Sequence, residues 1–144
     1  MFKIGVIGDE VSQDFQTVVD VSKEFNLDSI EIRSVWDKAP QELTKNDIDQ
    51  MKKILDNTGL QIIGVASPFL KCDIDDSEAR KEHLQILKDC IQLAHEFGAK
   101  IIRTFAFWKF DNLAQRWDEI ISAYDEPVRI AEGEGIILGL ENEY

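Results

Sequence analysis

Five short apolar runs recur along the chain: Lys3–Ile7, Ser29–Arg33, Gln61–Ser67, Lys100–Ala106 and Ile136–Leu140. They are rich in isoleucine and valine, which suits strands buried on both sides. Each of the first four is followed by a stretch with helical periodicity. The first helix starts at Asp14, carries Phe15, Val18, Val19 and Phe25, and stops at Asn26, a residue that tolerates left-handed backbone. In the second, Thr44 can cap the backbone NH of Asp47 and Leu43 can pack on Ile48. Ile48, Met51, Ile54 and Leu55 make its stripe, and Gly59 ends it. The third begins near Ser77, buries Leu84, Leu87, Ile91 and Ala94, and ends at Gly98. The fourth carries Trp117, Ile121, Tyr124 and Val128, with Pro127 predicting a kink or a restart and Gly135 its end.

Strands alternating with helices, joined by connections too long for hairpins, predict an α/β fold with parallel strands and right-handed crossovers, in the order βαβαβαβαβ. An open doubly wound sheet and part of a (β/α)₈ barrel both have this order. The two faces of each strand separate them. Leu138 and Leu140 oppose Gly139, Glu141 and Glu143; Ile30 and Ile32 oppose Glu31 and Arg33; Ile102 and Thr104 oppose Arg103 and Phe105; Ile63 and Val65 oppose Gly64 and Ala66. One face is aliphatic, and the other mixes small residues with charges. A doubly wound sheet needs aliphatic residues on both faces, whereas a barrel has one helix-covered face and one interior. The loop Gly8-Asp9-Glu10-Val11-Ser12 also lacks a glycine-rich phosphate cradle. The expected fold is therefore a TIM-type parallel (β/α) barrel. Its strands lie near 3–7, 29–33, 61–66, 100–106 and 136–141, in sequential neighbour order, with helices on one face.

A whole barrel takes roughly 250 residues, and this chain has 144. Residues 1–144 thus read as one partial domain, the N-terminal half of a barrel, with open strand edges through which it can self-associate. The net charge of −12 repels phosphate backbones and anionic lipid, so neither nucleic acid nor membrane is an expected partner. No targeting segment is visible. Cys72 and Cys90 read as free thiols in a reducing cytoplasm. His83 and His95 fall on different faces of one helix and cannot share a metal.

Barrel enzymes place their chemistry at the C-terminal strand ends. Here those ends carry Asp9 and Glu10, Glu31 and Arg33, Ser67 and Pro68, Arg103 with Thr104-Phe105-Ala106-Phe107-Trp108, and Glu141, Asn142 and Glu143. Carboxylates bind hard divalent cations, arginines hold anionic groups, and aromatic faces pack on sugars. Glu31 with Arg33 or Arg103 can equally be a structural ion pair, and Phe105, Phe107 and Trp108 can equally be core. Glu141 is the sharpest candidate: after Ile-Ile-Leu-Gly-Leu, an inward carboxylate is costly unless it meets a cation or a proton.

The opening Lys-Ile-Gly-Val-Ile-Gly-Asp-Glu-Val (3–11), Ile-Glu-Ile-Arg (30–33), Ala-His-Glu-Phe-Gly-Ala-Lys-Ile-Ile-Arg (94–103) and Ala-Glu-Gly-Glu-Gly-Ile-Ile-Leu-Gly-Leu-Glu-Asn-Glu (131–143) together resemble the xylose-isomerase-like TIM barrels. That superfamily includes sugar-phosphate isomerases/epimerases and endonuclease IV. The resemblance implies an enzyme that moves a proton next to the carbonyl of a sugar or sugar phosphate with a divalent ion (Mn, Mg, Co or Zn). It implies Glu141 as catalytic carboxylate and metal ligand. Arg33, Arg103, Trp108 and Glu143 are the expected substrate contacts. The family's later ligands lie on strands that follow Tyr144, so the metal site is expected to be incomplete and the 144-residue chain inactive. Alternatives are an endonuclease IV-like DNA-repair relative and a non-catalytic barrel half used for binding.

Overall fold

The computed structural model describes residues 2–142. Five parallel strands form one sheet in the order of the sequence: β1 (Gly5–Ile7), β2 (Ser29–Ile32), β3 (Gln61–Ala66), β4 (Ile101–Thr104) and β5 (Ile137–Leu140). Between them run α1 (Phe15–Glu24), α2 (Lys45–Leu55), α3 (Ser77–Phe97), α4 (Trp117–Ala123) and α5 (Asp125–Gly133). Ile30, Ile32, Val65 and Ile102 are buried on the face that the helices cover, with Phe15, Val18, Met51 and Leu87 packed in the same core. Ile63, Ile101 and Ile137 are 45%, 45% and 61% exposed. Burial on one face only, with sequential strand order, is half of a TIM barrel and not a doubly wound sheet.

The helix boundaries follow their caps. Asp14 accepts from the Thr17 amide at 2.9 Å. Thr44 and Asp47 form a reciprocal capping box, with the Thr44 amide donating to Asp47 at 2.8 Å and the Asp47 amide to the Thr44 hydroxyl at 3.3 Å. The Lys38 ammonium, and then Thr44, hold the Asp47 carboxyl down at about 2. Gly98, at φ +70°, closes α3 by donating to the Ala94 and His95 carbonyls, in a conformation that favours glycine.

The fourth helix restarts after Tyr124, as Pro127 predicts. Pro127 falls in the first turn of α5, where its missing NH has no intrahelical partner to lose. Other expectations are corrected. β4 stops at Thr104 because residues 105–108 turn to pair with the segment after β3. Ile63 does not share the helix-facing side with Val65. The register shifts between Ile30 and Glu31, so that Ile30 pairs with Ile62 and Glu31 with Gly64. The extra residue puts Ile63 beside Gly64 in the inner cleft. Leu138 is half-buried as the alternation requires, but Leu140 is 62% exposed. It lies on the outermost strand, and no described helix covers it.

Candidate functional site

Arg103 sits on the inner face of β4, between the carboxylate of β2 and the one that follows β5. Its Nε donates to Glu31 Oε1 at 3.0 Å, and its Nη1 donates to Glu141 Oε2. The strand pattern permits this reach. Ala66 and Gly139 flank Arg103 on either side, and Gly64 flanks Glu31. A guanidinium can lie across β3 to Glu31 because no large side chain stands between. Glu31 and Arg103 therefore do form a structural ion pair, and Glu141 shares it. All three side chains are a fifth to about a third exposed, so solvent screens the cluster in part. Arg103→Met leaves two carboxylates without their cation. The expected loss is about 2 kcal/mol of stability, below that of a fully buried pair, read by urea unfolding. Adding Glu31→Gln to Arg103→Met should recover part of that loss. A double variant no more stable than the single one contradicts the pairing.

Arg33 does not join this cluster. It lies just beyond β2, turns toward the loop after β1, and donates from Nε to Asp9 at 2.9 and 3.1 Å and from Nη2 to Glu10 at 2.6 Å. Asp9, then burial and Glu10, set the balance that raises its already high pKa. The expectation that Arg33 faces Glu31 is corrected: it meets two neighbouring carboxylates and ties the first strand end to the second.

The ends of β3 and β4 continue side by side. The Ser67, Phe105, Phe107 and Trp108 amides donate to the carbonyls of Arg103, Phe69, Leu70 and Cys72 at 2.9–3.1 Å. Phe69, Phe105 and Phe107 are buried, so most of the aromatic run is core. Leu70 and Phe107 hold left-handed backbone, at φ 61° and 70°. Such conformations are uncommon for bulky residues and persist because burial and hydrogen bonds fix them. The His83 imidazole accepts from the Leu70 amide at 3.0 Å, and burial lowers its pKa, so it is a neutral prop for this turn. Tyr124 donates to the Phe105 carbonyl and, at 3.2 Å, to the Thr104 hydroxyl.

Trp108 is 51% exposed. With Phe105, Trp117, Leu140, Glu141 and Asn142 it lines a cleft of about 470 Å³. The Lys71 ammonium lies over the Phe105 ring at 4.1 Å and over Trp108 at 5.8 Å. Glu141 also borders the inner cleft with Glu31, Ile63, Ile101 and Arg103. The sequence reading missed Lys71 and Trp117 as cleft residues, and it placed Asn142 at the strand end without a role. Trp117 sits on a helix and Lys71 follows a turn, so neither lies on a strand end.

Glu143 lies outside the described residues. Among the described residues no group of three His, Cys, Asp or Glu side chains can hold a metal ion, and Glu141 already meets a guanidinium. The described residues by themselves therefore form no metal site. His95 pairs with Glu134 at 3.1 Å, away from His83. Cys72 and Cys90 are buried free thiols, and burial pushes Cys90 up to about 12. Among the described residues no helix is long and apolar enough to cross a membrane.

The model of the family "Xylose isomerase-like TIM barrel" matches residues 19–144. The chain belongs to this family. Solved structures agree on the fold. A D-tagatose 3-epimerase-like protein is 23% identical at TM-score 0.74, covering 98% of this chain and 53% of its own. The IolI protein with a bound zinc atom is 17% identical at TM-score 0.77, covering 96% and 51%. A xylose isomerase domain protein from Planctomyces limnophilus is 13% identical at TM-score 0.71, covering 98% and 54%. The chain spans about half the length of these proteins. No curated protein matches it.

Proposed function

We propose that residues 1–144 form a single partial domain, the N-terminal part of a divalent-metal-dependent sugar or sugar-phosphate isomerase/epimerase that transfers a proton next to a carbonyl. The observation that carries this reading is the place of Glu141. It stands at the mouth end of β5, where the inner cleft meets the aromatic one, with one carboxylate oxygen bonded to Arg103. Arg103 fixes the carboxylate and compensates its charge. Half-exposed Trp108 offers a flat apolar face to a sugar ring or chain. Both arginines are committed to carboxylates, which favours an uncharged sugar over a phosphate in this half of the mouth. Asp9, Glu10, Glu31 and Glu141 at the strand ends weigh against a DNA-repair role, since they repel a phosphate backbone. The ion would polarise the substrate carbonyl, and its other ligands would come from outside the described residues. A reducing cytoplasm suits the two free thiols.

The test joins residues 1–144, in one chain, to the C-terminal half of the D-tagatose 3-epimerase-like protein. With Mn²⁺ and D-tagatose or D-fructose, the joined barrel is expected to epimerise the ketose, followed by chromatography of the sugars. The 144-residue chain alone is expected to give no turnover. A folded, joined barrel without activity on any ketose tried defeats the reading.

A further inference from the structure

A groove lies on the outer, helical side of the sheet, between the first half of α3 and the junction of α4 with α5, and encloses about 320 Å³. Arg80, Lys81 and Leu84 form its α3 side at helical spacing, and Ser122, Ala123 and Glu126 form the side opposite. The buried Phe69 and Leu70 close it beneath. α3 joins β3 to β4, and α4 and α5 join β4 to β5, so every wall belongs to neighbouring βα units of this chain. Strands added beyond β5 extend the sheet away from the groove and leave it open.

Arg80 sets the chemistry. Among the described residues the other arginines each donate to an oxygen: Arg33 to Asp9 and Glu10, Arg103 to Glu31 and Glu141, Arg116 to Asp75 and Glu119, and Arg129 to the Asp125 carbonyl. Arg80 is half-buried, yet its guanidinium has neither a hydrogen bond nor an ion pair among them. Its five donors call for an acceptor. The nearby carboxylates are engaged: Arg116 holds Asp75 and Glu119, and Lys81 holds Glu78 at 2.7 Å. Exposed Glu126 across the groove has no partner among the described residues either, and no ion pair joins it to Arg80. We propose that this groove binds a free α-amino acid with an aliphatic side chain. The ligand carboxylate takes the fork of Arg80, which fits it bidentately. The ligand ammonium meets Glu126, and its side chain lies on Leu84 and Ala123. Small-molecule sites span about 300–1,000 Å³, so this groove suits an amino acid and is too small for a dinucleotide. Glu126 opposes a phosphate and Arg80 opposes a simple amine, whereas a zwitterion satisfies both walls.

An NMR titration of the ¹⁵N-labelled 144-residue chain with L-leucine tests this. The expected dissociation constant is about 1 mM or below, with amide shifts centred on residues 77–84 and 122–127. 4-Methylpentanoate lacks the ammonium and 3-methylbutylamine lacks the carboxylate, so each should bind about tenfold more weakly or worse. Arg80→Gln and Glu126→Gln should each weaken leucine by a similar factor of about tenfold, since each removes one charged contact. Lys53→Gln, exposed on α2, should leave the affinity unchanged. Neither groove variant loses a bond in the free protein, so both should stay folded, and the dispersion of the same spectra reads this directly. The inference is overturned if leucine causes no shifts at about ten times the expected constant, if either groove variant binds it as the parent does, or if either analogue matches leucine. D-Fructose shifting these residues where leucine does not would also overturn it, by assigning the groove to a polyol. The titration reads binding and not turnover, so its failure is distinct from that of the proposed activity.

Discussion

Glu141→Gln in the joined barrel is expected to lower epimerisation by about 10³-fold while leaving the protein folded. The magnitude is that of removing a positioned acid–base group. It holds whether Glu141 takes the substrate proton or donates an oxygen to the ion, since glutamine keeps the shape and loses both the charge and the basicity. The Arg103 contact makes the variant interpretable. A neutral amide oxygen can still accept from Nη1, so Glu31, Arg103 and residue 141 should keep their arrangement, and the stability cost should be within about 1 kcal/mol. Two measurements separate function from folding: turnover, and the affinity for Mn²⁺ followed by paramagnetic relaxation of water. Unchanged turnover with unchanged Mn²⁺ affinity would mean that Glu141 serves only the ion cluster, and the functional reading would fail at its centre.

Phe69→Ala is expected to cost about 4 kcal/mol, the usual range for removing a buried phenylalanine ring. Phe69 is 1% exposed and meets the Tyr124 ring edge-on at 6.1 Å. Its loss opens a cavity beneath the paired segments 67–72 and 103–108, the segments that carry Lys71 and Trp108. A domain whose inner face is open to water begins near the low end of the usual stability range, so the variant should be largely unfolded at modest urea. Phe25→Ala, at a side chain 68% exposed, should stay within about 0.5 kcal/mol of the parent. The urea midpoint by tryptophan fluorescence checks both. A Phe69→Ala midpoint like that of Phe25→Ala contradicts the packing described.

The strands, their order and the one-sided helices were legible because period-two alternation and capping are local. Thr44 and Asp47 are three residues apart, and Leu138, Gly139 and Glu141 are nearly adjacent, so the sequence brings them together before any tertiary contact forms. The inward Arg103 and Glu141 were legible for the same reason. The partner of Arg33 was not. Period two places Arg33 on the face of Glu31, but β2 has already ended at Ile32, and past the strand end Asp9 and Glu10 lie nearer. The role of the aromatic run was left open, since a run of Phe and Trp reads alike in a core and in a cleft. Backbone pairing between residues 67–72 and 103–108 divides it, burying Phe105 and Phe107 and leaving Trp108 outside. The shift that turns Ile63 inward rests on one extra residue in β3, which no composition reveals.

Sequential strand order also bears on how the chain acquires its shape. Each strand lies beside the one that precedes it in sequence, so a chain leaving the ribosome can add βα units one at a time, and no strand waits for a distant segment. The Arg103–Glu31 bond, which spans 72 residues, forms only after β3 has been laid between its partners. It acts as a late latch, fastening units that are already in place, and its removal is expected to speed unfolding more than it slows folding.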